Sequence, residues 1–294
     1  METVEIKMPD ETLRELYVSD KISDPKGVIL IIHGMQEHAM RYTHVIKAFN
    51  DNNYIVFAYN QRGHGQKALE SHTMGQGNKD IFEECVLDAQ CICKYIKSVY
   101  PDLPLYVYGH SFGSFVTQRL MQICDIPAKW VLSGTTCGDA MLYKLAYVVA
   151  KLSAIKGKQK PATLIEKMSF DSYKKHFSDK SWLSRDPDVQ KRFDEDELCG
   201  VPFPVSFYIS LFSHLKKLNK GIKNIKKNTK VLLIAGTDDP VGNYAKGPSK
   251  LHSLYLKAGL DSHLKLYDKG RHELHNELNR QEVLNDVIDF YNLR

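Results

Sequence analysis

Leu105-Tyr106-Val107-Tyr108-Gly109-His110-Ser111-Phe112-Gly113 sets a G-x-S-x-G directly after a run of β-formers and directly before a helical stretch, Phe112 to Cys124. Alone the pattern is weak, because three fixed positions at roughly 7% usage each give about one chance match per ten chains of this length. Its setting makes it specific. A strand-to-helix turn this tight leaves no room for large side chains two residues either side of Ser111. Glycines there let a strained serine lift its hydroxyl above the sheet.

The flanking sequence supplies the rest of such a sheet. Gly27 to His33 and Tyr54 to Tyr59 are continuous apolar runs, the signature of strands buried on both faces of a parallel sheet. Tyr42 to Asn50 reads as a helix between them. Ile81, Cys85, Val86, Ala89, Ile92, Cys93 and Ile96 recur at helical spacing within Lys79 to Tyr100, and Pro101 and Pro104 stop that helix. Trp130 to Ser133, Lys230 to Gly236 and Leu264 to Tyr267 read as further strands, with helices near Pro248 to Ala258 and over Gln281 to Tyr291. Ahead of them, Val4, Ile6, Met8 and Leu13, Leu16, Val18 alternate around Pro9-Asp10-Glu11, which predicts an antiparallel hairpin. The expected fold class is α/β, a mostly parallel central sheet with helices on both faces. Between Thr135 and Thr229 no buried strand stands out. Residues 135–229 are expected to form an inserted helical cap, and 1–134 with 230–294 one core domain.

Composition narrows the function classes. The 294 residues are 43% hydrophobic and 26% charged, as in an ordinary soluble globular protein. The net charge of +5 is modest, and basic residues are not interleaved with aromatics as in nucleic-acid modules, so nucleic acid is not an expected partner. The N-terminal stretch lacks the basic start and apolar run of a secretory signal, and a cytoplasmic location is expected. Six cysteines without paired C-x-x-C spacing indicate neither a disulfide framework nor a zinc site; no metal and no cofactor are expected, and Cys91 and Cys93 read as packing residues. Lys216, Lys217, Lys220, Lys223, Lys226, Lys227 and Lys230 read as a solvated face. The alternative is weak peripheral contact with an anionic membrane, at ~1 kcal/mol per basic residue. Nothing in the chain specifies an oligomeric state.

A serine hydroxyl is a poor nucleophile until a neighbouring base takes its proton, and that base needs an acid to fix its tautomer. Both partners are expected later in the chain, on loops after strands, in the order acid then histidine. Strand 230–236 ends in Gly236-Thr237-Asp238-Asp239-Pro240, and strand 264–267 ends in Asp268-Lys269-Gly270-Arg271-His272-Glu273. Asp239 is favoured over Asp238 because Pro240 bends the chain directly after it. His272 is favoured over His275, which reads as an exposed histidine in or near a helical segment. An oxyanion would need two aimed backbone N–H groups, those of Phe112 and of Met35 after the His33-Gly34 turn. Arg62 and His64 read as scaffold. The stripe Met141, Leu142, Leu145, Ala146, Val148, Val149, Leu152 either packs on the domain beneath or faces an acyl chain, with Met141, Leu145 and Val149 the substrate-binding candidates.

His33-Gly34-Met35-Gln36-Glu37-His38, Arg41-Tyr42, Arg62-Gly63-His64-Gly65, the serine pentapeptide, Gly236 to Pro240 and Arg271-His272-Glu273 together resemble the monoacylglycerol lipase and lysophospholipase group of α/β-hydrolases. That group is also called the serine aminopeptidase S33 or hydrolase-4 type. The stretches Trp182 to Asp186 and Leu198-Cys199-Gly200 are similar to its bacterial members. The resemblance implies the α/β-hydrolase fold, a Ser111, Asp239 and His272 triad, an oxyanion hole from the Met35 and Phe112 amides, and a lipid-like monoacyl ester under a helical cap. Asn60 stands where the group usually has Asp before x-R-G-H-G, and Lys67 where a small serine is common. Serine at the elbow argues against haloalkane dehalogenases and epoxide hydrolases, which need aspartate there. A short-chain carboxylesterase, a peptidase of the same fold and a non-catalytic ligand-binding homologue are the alternatives.

Overall fold

The computed structural model describes residues 1–138 and 140–293. Eight strands form one sheet: β1 Glu2–Lys7, β2 Leu13–Val18, β3 Gly27–Ile32, β4 Tyr54–Tyr59, β5 Leu105–His110, β6 Ala128–Ser133, β7 Lys230–Gly236 and β8 Asp261–Tyr267. Their spatial order is β1-β2-β4-β3-β5-β6-β7-β8. The β1–β2 and β2–β4 pairs are antiparallel and the remaining pairs parallel. The helices are α1 Thr43–Asp51, α2 Gly65–Glu70, α3 Ile81–Val99, α4 Phe112–Met121, α5 Ala140–Ser153, α6 Thr163–Glu166, α7 Ser172–Lys174, α8 Pro187–Glu195, α9 Val205–Leu218, α10 Lys246–Lys257 and α11 Arg280–Asn292.

The apolar runs are continuous because both sheet faces are covered. Val28, Leu30 and Ile32 of β3 belong to one core with residues of α3, α4 and α9, while Ile29 and Ile31 belong to a second core with α1 and α11. β3 lies between β4 and β5; the chain leaves β3 toward β4 but leaves β5 toward β6, so a crevice opens at the carboxyl ends of β3 and β5. Helices α5 to α9 all fall between β6 and β7, where an isolated Pro161–Pro204 bridge is the one β pairing among the described residues. In this stretch α5 packs on α9, and α9 on α3 and α4.

Among the departures from the sequence reading are two element boundaries and one short helix. β8 begins at Asp261 rather than Leu264, because as an edge strand it carries the exposed, polar His263 in its first half. Helix α4 ends at Met121, three residues early, in a turn over 122–123. The six-residue α2 was too short to show a periodicity.

Candidate active site

Five of the loops at the carboxyl ends of the parallel strands meet around one cavity of about 340 Å³. After β5 the chain turns at Ser111, held at φ 51° and ψ −119°, a conformation that costs energy for any residue with a Cβ. The flanking glycines explain how the turn fits: a Cβ on Gly109 would collide with the Thr117 hydroxyl, and one on Gly113 with the Ile32 carbonyl. The Ser111 amide donates to the Ser133 carbonyl at 2.9 Å, which ties the turn to β6.

After β7, Asp239 is buried; its Oδ1 accepts from the Val241 amide at 2.9 Å and its Oδ2 meets Nδ1 of His272 at 3.0 Å. It is Asp239, not Asp238, whose carboxylate reaches the imidazole. Nε2 of His272 is buried and has no hydrogen-bond partner among the described residues. Ser111 and His272 line the same cavity without a hydrogen bond between them. Such contacts are commonly long in an enzyme without substrate and tighten when substrate binds.

Electrostatics single out His272. Burial pushes the neighbouring His33 and His110 well below the ordinary imidazole value, and lowers His275 to about 3. Burial is the largest influence on His272 too and acts in the same direction, but the bonded Asp239 carboxylate, with Glu273 and Glu37 behind it, outweighs it, so this imidazole is raised. It is the one imidazole of these four that is raised rather than lowered. Trp182 lies beside it, ring centroids 5.0 Å apart, and the His272 and Glu273 amides donate to the Trp182 and Leu183 carbonyls at 3.3 and 2.7 Å.

Met35 and Phe112 both line the cavity. Among the described residues neither backbone amide donates to another backbone group outside the helices and strands. Of the acyl-facing candidates the cavity takes none. Tyr143, on the inner side of α5, lines it, whereas Met141 and Leu145 are 67% and 61% exposed and Val149 is half-buried away from it. The stripe points outward because Tyr143 and Ala150 occupy the inward face of the helix. The apolar wall comes instead from Phe115 of α4 and Leu211 and Leu215 of α9.

His275 departs from its expected exposure. It is fully buried, stacked on Tyr42 at 4.6 Å, in a single turn over Leu274–Asn276. Arg62 pairs with Asp88 at 2.7 Å and Asp10 at 2.6 Å, outside the cavity lining, and His64 bonds the Arg62 carbonyl. Asn60 accepts from the Ala39 amide at 2.9 Å, and Lys67 makes an exposed ion pair with Glu5 at 2.9 Å.

A buried ionic strut was not assigned a role from sequence. Glu37 accepts from the Gly34 amide, just before Met35, and from Arg41; Arg41 in turn grips Glu273 with both terminal nitrogens at 2.8 and 2.7 Å. The strut therefore joins the loop after β3 to the residue following His272. Burial raises both carboxyls, but at Glu273 the two-pronged guanidinium wins and holds it at about 2. At Glu37 burial dominates and the carboxyl is raised. Arg41→Leu is expected to cost about 3–5 kcal/mol of stability, because two carboxyls are left buried without their cation. Thermal melts of the variant against wild type check this, and an unchanged melting temperature contradicts it.

The family model for serine aminopeptidase, S33, matches residues 23–279. A monoglyceride lipase homolog of monkeypox virus is 27% identical over 273 residues, covering 90% of this chain and 89% of the relative. Human monoglyceride lipase is 25% identical, covering 92% and 82% of the two chains. Among solved structures, a thermostable carboxyl esterase from Bacillus coagulans in complex with glycerol superposes with a TM-score of 0.88 at 25% identity, covering 99% of this chain and 97% of that one. The sheet order, the serine turn and the matched span together show that this chain is a hydrolase of the serine aminopeptidase S33 family, with the α/β-hydrolase fold.

Proposed function

We propose that the chain is a serine carboxylic ester hydrolase acting on monoacylglycerol- or lysophospholipid-like esters. The observation that carries the reading is the joint placement of a strained serine and an Asp239-bound imidazole, its Nε2 otherwise unpartnered, on one apolar-walled cavity. In this mechanism His272 takes the Ser111 proton and Ser111 Oγ attacks the ester carbonyl. The oxyanion is met by the Met35 and Phe112 amides. The alcohol leaves with the proton from His272, and water, activated by the same imidazole, releases the acid and frees the serine. Asp239 holds Nδ1–H and stabilises the imidazolium.

Residues 135–229 act in this reading as a cap: they supply Tyr143, Trp182, Leu211 and Leu215 to the cavity. The substrate class is supported by relatives named monoglyceride lipase and by the outer face of α5. Leu142, Leu145, Val148 and Leu152 are 50–61% exposed there and Ile155 81%, with the exposed Lys144, Lys151 and Lys156 beside them. Exposed apolar patches of this kind mark interaction sites, and a lysine fringe suits an anionic lipid surface. In this reading the membrane-facing surface is α5, with Lys216 joining it through the Tyr147 ring at 3.6 Å, in preference to the whole 216–230 segment. No helix of the described residues is long and apolar enough to cross a membrane.

The test is a panel of p-nitrophenyl esters, monoacylglycerols and lysophospholipids of graded chain length, offered in solution and in anionic vesicles. Long monoacyl esters are expected to be preferred. Leu145→Ser with Ile155→Ser is expected to slow vesicle-borne substrate while sparing a soluble short ester. A preference for acetyl or butyryl esters would replace this reading with a short-chain carboxylesterase.

A further inference from the structure

We infer that His38, Asp196 and Cys199 form a binding site for one divalent ion of the zinc class, and that its occupancy fastens the stretch between α8 and α9 to the loop after β3. One ligand atom from each of the three lies within 4.8 Å of the other two, and this is the one such grouping among the described residues. His38 and Cys199 are buried and Asp196 half-buried, so an ion here would be largely shielded from bulk water.

The donor set is specific. One imidazole nitrogen, one carboxylate oxygen and one sulfur suit zinc and its neighbours, whereas calcium and magnesium require oxygen shells. With zinc bonds of ~2.0–2.3 Å, tetrahedral ligands stand ~3.3–3.8 Å apart, so short side-chain rotations that open the 2.8 Å His38–Asp196 contact and draw in any wider spacing, none above 4.8 Å, would reach it. Two ligands already share one constrained turn: the Cys199 amide donates to the Asp196 carbonyl and the Leu198 amide to Asp196 Oδ1, both at 2.9 Å. The third is in place across from it, with His38 Nε2 2.8 Å from Asp196 Oδ2.

Charge also closes. Metal entry displaces the thiol proton, so the ion's two positive charges meet one thiolate and one carboxylate beside a neutral imidazole, and the assembled site is neutral. The nearby Arg41 guanidinium does not oppose this, because Glu37 and Glu273 bracket it. Without a metal, burial keeps the Cys199 thiol protonated and raises its pKa.

Occupancy would stiffen the cavity wall. Gly200, next to Cys199, donates to the Gln36 carbonyl at 2.9 Å, and Gln36 lies between Met35 and His38. A metal clamp at His38 therefore holds the Met35 loop and the 196–200 turn as one body. This consequence for turnover rests on the proposed role of Met35; metal binding itself does not.

The test uses the full chain stripped with a chelator and titrated with cobalt(II). A one-to-one complex is expected, with the near-ultraviolet thiolate-to-cobalt band, displaced by zinc and lost in Cys199→Ser and in His38→Ala. Zinc is expected to slow hydrolysis of a soluble ester about fivefold or more in wild type, and not in Cys199→Ser. Absence of the band, or its persistence in Cys199→Ser, overturns the site. A cobalt band without zinc inhibition overturns the fastening while leaving the esterase reading untouched.

Discussion

Ser111→Ala is expected to lower kcat by about a million-fold, because the variant has no oxygen that can form the acyl-enzyme. What remains should be the slow attack of water on an ester held by the cavity and the Met35 and Phe112 amides, worth about a thousand-fold or more over solution. The backbone should survive the change. Alanine carries the same Cβ into the strained conformation, and the turn is held by the Ser111 amide bond to Ser133 and the crowding at Gly109 and Gly113, none of which needs the hydroxyl. Substrate binding should therefore persist, so KM changes far less than kcat. Retained turnover in a folded variant would remove Ser111 from the mechanism.

Asp239→Asn is the second large effect, expected at about ten-thousand-fold in kcat, since the amide favours the wrong imidazole tautomer and cannot stabilise the imidazolium. It carries an independent signature in pH. His272 must be neutral to take the serine proton, and its pKa is raised because Asp239, joined by Glu273 and Glu37, outweighs burial. Activity in wild type should thus fall as pH drops through a value above the ordinary 6.5 for histidine. In the variant the strongest raising influence is gone, with only Glu273 and Glu37 left against burial, so the acid limb should move to lower pH while the plateau collapses. A pH–rate profile of kcat/KM for both forms checks this, and an acid limb that does not move would contradict the pairing.

How far the sequence could be read follows from where each signal resides. β3 and β4 were legible because both faces are buried, which leaves an uninterrupted apolar run; the first half of β8 was not, because the edge strand admits His263. The serine turn, Asp239 and His272 were each legible because a strand end and a constrained turn mark them locally. The Glu37–Arg41–Glu273 strut was visible as residues but not as a unit, since Arg41 and Glu273 stand 232 positions apart. The same holds for His38 with Asp196 and Cys199, which no C-x-x-C spacing announces. His275 was misjudged because its stacking on Tyr42 is a tertiary contact. The α5 stripe was seen, but its direction was not: periodicity cannot tell which face of a helix packs, and Tyr143 and Ala150 decided it.

In this mechanism Ser111 itself attacks. The most direct measurement is intact and peptide mass spectrometry after incubation with a fluorophosphonate, which traps an activated serine as a stable ester. One adduct per chain is expected on the peptide containing Ser111, absent in Ser111→Ala and strongly slowed in Asp239→Asn. An adduct on a different residue, or none on a protein that hydrolyses esters, would contradict the account.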